Sequence, residues 1–248
     1  MSEAWMPGVR YVRAAADGGS LKGGAPRVVW HALDANSHTV SARSAAQRLD
    51  QHGQAGHLVW NPLNGEIVQL IPIVRAARSL ASLDCGGPAA WSQQATIAEV
   101  TAEGRLCVQI CVVAFADDPF TARPMAGLAE IMTWLDSWDI PRRWPAGAPA
   151  SFPDSMAISR SRRLWARGGH FGASQVPGLT AAGPGAIDVE RLTGWSATHS
   201  ADDAMLAGAG GRRQPSGEGP PGIGYDPADL SAVLGNRVAG AASLTRVR

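Results

Sequence analysis

Lysine is almost missing from this chain: Lys22 stands alone among 22 basic residues, and formal net charge is only +1 over 248 residues. No basic block and no aromatic-basic stripe occurs, so the electrostatic footprint of a nucleic-acid binder is lacking. Nucleic acid is not an expected partner. Cysteine is scarce too. Cys85, Cys107 and Cys111 are odd in number and show no CxxC spacing, which argues against a disulfide framework or a Cys-rich structural zinc site and fits a reducing compartment. No apolar run approaches the ~20 residues needed to span a bilayer. The opening Met-Ser-Glu-Ala-Trp-Met-Pro-Gly has no basic n-region followed by an apolar h-region. The expectation is therefore a protein outside the membrane, without a signal peptide and cytoplasmic as synthesised.

What is present suffices for one sizeable core. Hydrophobic residues make up 45% of the chain, normal for a globular domain of this length. Arg27 to Leu33, rich in β-branched residues and preceded by Gly-Gly-Ala-Pro, reads as a buried strand with His31 near its end. Ser41 then opens an amphipathic helix over about 41–52, because Ala42, Ala45, Ala46 and Leu49 recur at i, i+3, i+4 and i+7 and Gly53 can close it. Two strands, Gly56–Trp60 and Glu66–Pro72, flank an Asn64–Gly65 hairpin signal. Arg105 to Phe115 is nearly continuously apolar, as a central strand covered on both faces should be. After Pro124, Leu128, Ile131, Met132, Leu135 and Trp138 recur at helical spacing. Residues 81–104 read as irregular, a segment that could cover a cleft. The fold expected is α/β (α+β): a single mixed sheet flanked by helices. It occupies residues 1–195, and 196–248 read as a flexible Gly/Pro-rich linker and tail.

The most specific pattern is Gly168-Gly169-His170-Phe171-Gly172-Ala173-Ser174-Gln175-Val176-Pro177, followed by Gly183-Pro184-Gly185-Ala186-Ile187-Asp188. Together with the Val-Val-Trp-His strand, the Ser-Ala helix, Ala-Gly-His-Leu, Gly-Glu-Ile-Val-Gln-Leu-Ile-Pro and Val-Gln-Ile-Cys-Val-Val-Ala-Phe, in that order, it resembles the zinc-dependent N-acetylmuramoyl-L-alanine amidases. These form the type 2 amidase and peptidoglycan recognition protein superfamily. The resemblance covers about residues 5–195 and implies their fold, with zinc as cofactor and peptidoglycan or a muropeptide as partner of a monomer.

It also implies which positions matter. The family's metal ligands correspond to His31, Ala173 and Gly183, and only His31 is a ligand-bearing residue. The family's strand acid corresponds to Cys111, and its oxyanion-stabilising residue to Ala181. Zinc hydrolysis needs three protein ligands and an open fourth position for the attacking water. The substitutions point to a degenerate relative, a pseudoenzyme that binds peptidoglycan without efficient hydrolysis. An alternative keeps an active zinc amidase through a rebuilt site of His31, Cys111 and either His57 or His170. A third reading, a Cys hydrolase using Cys111 with His31, lacks the helix N-terminal setting that activates thiolates. His170 reads as a turn residue supporting the loop and His57 as a packed residue. Trp134, Trp138 and Trp144 read as core groups, and Trp165 is open between core and cleft. The Arg-, Ala-, Gly- and Trp-rich composition suggests a high-GC genome, that of an actinobacterium or its phage. For the wall-directed protein that the resemblance implies, the lack of an export signal suits an endolysin-like protein released to the cell wall by another factor, or one that handles wall fragments inside the cell.

Overall fold

Short runs of β-branched and aromatic residues build one sheet, and the computed structural model describes residues 2–80, 97–151, 154–156, 160–179, 181 and 183–195. In chain order the elements are β1 (Arg10–Tyr11), β2 (Arg27–Ala32), α1 (Ala42–Gln51), β3 (Leu58–Trp60), β4 (Ile67–Gln69) and β5 (Cys107–Val112). They continue with α2 (Leu128–Ser137), α3 (Arg162–Ala166), β6 (Gly169–Gly172) and α4 (Val189–Thr193). The strand order is β1-β4-β3-β5-β2-β6. Only the β3–β4 hairpin is antiparallel; every other neighbouring pair is parallel. The single mixed sheet flanked by helices is thus the architecture.

Alternation along the central strands divides the core into two faces. Val28, Trp30, Leu58, Trp60, Val108, Ile110 and Val112 face Phe120 and the Ile131, Met132 and Leu135 stripe of α2. On the opposite face Val59, Val68 and Cys111 pack against Ala42, Ala45, Ala46 and Leu49 of α1, and Val29, Cys107 and Phe171 pack against Trp165. All six residues of β5 are buried, as an apolar run between two helical layers requires.

Local signals set the connections. The Ser41 hydroxyl accepts the Ser44 N–H at 3.0 Å and caps α1, while the Glu66 carboxylate accepts the Ala42 N–H at 2.7 Å and ties the helix to the hairpin. Buried Asn61 donates from its amide to the Ser37 and Val40 carbonyls at 2.8 and 3.1 Å, and its side-chain oxygen accepts the Leu63 N–H at 3.0 Å. One residue thereby joins the hairpin to the loop before α1.

Part of the segment expected to be irregular is helical: residues 97–101 form a turn of helix that buries Ile97 and Val100 beside Leu80. One turn is too short to display a period. Residues 81–96, which hold Cys85, and residues 196–248, expected as the tail, lie outside the described residues. No helix among the described residues is long and apolar enough to cross a membrane.

Candidate functional site

The site positions come together through strand register. β2 and β5 pair His31 with Cys111, and β5 and β3 pair Cys111 with Val59. β2 and β6 pair Trp30 with Gly172, the last residue of β6, and Ala173 opens the 3-10 turn that follows it, next to the end of β2. Parallel partners lie about 4.8 Å apart across a sheet and share a face. Ala173 indeed packs in the cluster of Val29 and Phe171 on the His31 face, and Ala181 packs partly buried against the same cluster. Gly183 joins through its carbonyl, which accepts the Ser174 N–H at 2.9 Å. Residues more than a hundred positions apart therefore meet at the C-terminal ends of β2, β5 and β6.

Chemically, this meeting point is sparse. His31 is half-buried, and its Nδ1 has no hydrogen-bond partner among the described residues. Desolvation holds its pKa below the ordinary value, and the nearby Asp34 carboxylate pulls it partly back. Asp34 is itself held, at a φ of 49°, by accepting the Ala116 N–H at 2.9 Å. Ala173 contributes a methyl group with no exposure. A Cβ on Gly183 would meet the Cβ atoms of Ala32 and Ala116 at 3.2 and 3.3 Å, so the space a ligand side chain would leave through is nearly filled by two methyl groups.

Cys111 is a core residue. It is fully buried, and its sulfur lies against Gly56 and interacts with Ser79. Burial pushes the thiol up to about 12, with the Ser79 hydrogen bond opposing, so it is neither a thiolate nucleophile nor a ready zinc ligand. The position that the resemblance matches to the family's strand acid thus holds a small buried core residue. Cys107 is likewise buried and pushed up to about 12.

The two histidines that a rebuilt site with His31 and Cys111 would draw on, His57 or His170, are engaged elsewhere. His57 Nδ1 accepts the Gln109 N–H at 2.9 Å, and its Nε2 bonds the Arg75 carbonyl at 2.8 Å. That pairing assigns a neutral ring protonated at Nε2, and burial lowers its pKa to about 4. His170 pairs with Val28 in register, so it occupies the sheet face opposite His31. There it stacks between Trp30 and Trp144 with centroids 6.0 Å away on both sides, and its Nδ1 accepts the Trp30 indole N–H at 3.1 Å. Desolvation lowers its pKa to about 3. It is a strand residue in an aromatic core rather than a turn residue.

The resemblance implies a zinc ion, and the residues present do not fit one. Among the described residues no three His, Cys, Asp or Glu side chains gather in a metal-binding group, and a single imidazole leaves most of a tetrahedral shell unfilled.

Several site-defining residues escape a sequence reading. Gln175 is the chief one: its Oε1 accepts the Trp144 indole N–H at 2.8 Å and the Gly172 N–H at 2.9 Å, and its Nε2 donates to the Gly147 carbonyl at 2.8 Å. It clamps the loop carrying Ala173. Gly172 is required there because a Cβ would stand 2.7 Å from Pro184 Cδ. Buried Arg27 donates to the Trp165 and Glu103 carbonyls at 2.8 and 2.5 Å and lies 4.7 Å from the Trp165 ring centroid. Trp165 is therefore core, as are Trp134 and Trp144, while Trp138 is partly exposed.

No family model matches the chain, and no curated protein sequence matches it. Solved structures similar to it include the endolysin N-acetylmuramoyl-L-alanine amidase LysCS from Clostridium intestinale, at 14% identity over 77% of this chain and 96% of that one, with a TM-score of 0.43. Another is the Staphylococcus aureus hydrolase AmiA in complex with its ligand, at 11% identity over 71% of this chain and 72% of that one, with a TM-score of 0.40. At such scores the functional reading rests on this chain's own residues.

Proposed function

We propose that this chain is a peptidoglycan-directed relative of the N-acetylmuramoyl-L-alanine amidases that binds peptidoglycan or a muropeptide without hydrolysing the amide between N-acetylmuramic acid and L-alanine. The collinear motifs support the family. The observation that carries the loss of chemistry is the pairing of His31 with Cys111 and the placing of Ala173 in the turn just past β6, so that neighbouring ligand and acid positions hold one imidazole, one buried thiol and one methyl group. Gly183 and Ala181 add no donor. Without three ligands no water is activated for attack, and without a basic residue at 181 no side chain at that position balances an oxyanion. On this reading residues 1–195 are the binding domain, 196–248 are an appended tail, the protein is a monomer, and zinc is absent or weakly held.

Metal analysis of the purified protein, a sedimentation assay with insoluble peptidoglycan and an assay for released stem peptide test the proposal together. The expected result is far less than one zinc per chain, retention on peptidoglycan and no peptide release. Stoichiometric zinc or amide cleavage overturns it. Rebuilding the site by Ala173→His with Gly183→Asp should restore zinc binding, provided Ala116→Gly is added to relieve the contact at 3.3 Å. A folded triple variant that stays metal-free shows that the loop no longer holds a ligand geometry.

A further inference from the structure

The open edge of the sheet carries a second surface that the His31 region does not explain. Among the described residues β1 pairs only with β4. Beyond it the chain continues alongside β4, with the Val12 and Ala14 N–H groups donating to the Gln69 and Leu70 carbonyls at 2.9 and 3.0 Å. Val12 and Ala14 turn toward the core, which by strand alternation places Tyr11 and Arg13 together on the other face. Arg13 lines a cavity of about 380 Å³ together with Asp17, Leu70, Pro72, Val74 and Arg75 among others, and Tyr11 lies on the same strand face two residues before it.

Its walls combine charge and apolar surface. Arg75 is held in place by Asp17, which accepts from its Nε and Nη2, both at 2.9 Å, and Asp17 is steadied by the Gly19 N–H at 2.8 Å. That pair is internally neutralised. Arg13 is different: it is exposed and has no carboxylate partner among the described residues. Three large apolar side chains are notably exposed among the described residues, and two of them, Tyr11 and Val74, stand at this edge. The Tyr11 ring is backed by Trp5 at a centroid distance of 5.4 Å, which limits its motion. An uncompensated guanidinium beside an apolar platform complements a ligand that has a carboxylate at one end and an alkyl or ring surface at the other.

The geometry points to a carboxylate-binding subsite at the β1 edge, in which Arg13 pairs with the acid of a small ligand while Val74, in the cavity wall, covers its apolar part and Tyr11 extends the apolar surface beside Arg13. Three strands lie between β1 and the His31 strand β2 in the sheet order, and the site does not depend on the function proposed for the His31 region. The acid can come from a peptide C-terminus or from a sugar acid.

Titration of the full chain, followed by amide proton–nitrogen spectra, distinguishes these sources. Acetyl-alanyl-alanine with a free carboxylate is compared with its C-terminal amide, and glucuronate with glucose. The acids should shift the amides of residues 13–17 and 73–75, and the neutral analogues should not. Stronger shifts with the dipeptide assign a peptide source, and stronger shifts with glucuronate a sugar acid. Arg13→Gln should weaken binding about tenfold, because one charge-assisted pair is lost. Arg10→Gln, on the opposite face, should leave binding unchanged and serves as the charge control. Equal shifts with the neutral analogues, an unaltered affinity in Arg13→Gln, or no shift by roughly 20 mM of either acid, a concentration at which even a weak site would fill, overturns the assignment.

Discussion

Replacing Gly56 with alanine tests whether position 111 is packed core or reactive space. A Cβ at Gly56 would stand 2.6 Å from the Cys111 sulfur, 3.3 Å from the Gln109 carbonyl oxygen and 3.4 Å from Ser79 Cβ. The first of these is about 1 Å inside van der Waals contact. The sulfur belongs to a short, fully buried side chain, so it has nowhere to retreat. Overpacking of this size costs about 1–3 kcal/mol, reduced by up to about 1 kcal/mol because alanine lowers the entropy of the unfolded chain. Gly56→Ala should therefore destabilise by about 1–2 kcal/mol. Cys111→Ala alone should cost about 1 kcal/mol for the lost sulfur contacts. Together the two changes remove the clash, so the double variant should be more stable than the sum of the singles by about 1–2 kcal/mol. Urea unfolding with unchanged m-values is the assay. A fully additive double variant, or a Gly56→Ala protein as stable as wild type, would show that the sulfur has room to move and that Cys111 is not the wall it is argued to be.

Acid should weaken the fold in a defined window. His57 has a depressed folded pKa of about 4, so its contribution is complete above about 6.5, is lost as pH falls toward 4, and amounts to about 3 kcal/mol when fully lost; a denaturation midpoint that stays flat between these pH values would contradict the bonding assigned to its ring. His170, lowered to about 3, extends the loss further, and His170→Phe should reduce the pH dependence while keeping the aromatic stack. Gln175→Ala leaves the Trp144 and Gly172 N–H groups without their acceptor and should cost about 2–4 kcal/mol in chemical denaturation, whereas a surface glutamine would cost almost nothing. In a Cys85→Ser background, Cys107 and Cys111 should not react with a thiol reagent in the native state and should react fully in urea, since both thiols are buried and pushed up to about 12; rapid native labelling would refute the burial.

Much of the framework is legible in local pattern. The run Arg27–Leu33 and the Asn64–Gly65 turn are marked by residue type, while the stripe Ala42–Ala45–Ala46–Leu49 and the stripe of α2 repeat with the helical period, and an apolar period reports directly which side of a segment must leave water. The identities at 31, 111, 173, 181 and 183 are legible as well, so the scarcity of ligand chemistry at the candidate site follows from residue type alone. The extra elements were not legible. β6 contains two glycines and a histidine, and it is a strand because β2 supplies its hydrogen-bonding partner, whereas β1 is two exposed residues with no alternation to detect.

What only the tertiary structure decided is how each polar side chain is used. His57, His170 and His31 are the same residue type on or just before apolar strands, yet one is bonded at both nitrogens, one is stacked in an aromatic core, and one faces the ligand positions with Nδ1 unpartnered. Cys111 stands beside His31 in the sheet while its sulfur packs against Gly56 and Ser79. Periodicity determines which face a residue takes, because that depends only on the local backbone. Whether a buried imidazole, thiol or amide is satisfied depends on groups brought within hydrogen-bonding distance from far along the chain, and only the folded packing supplies those.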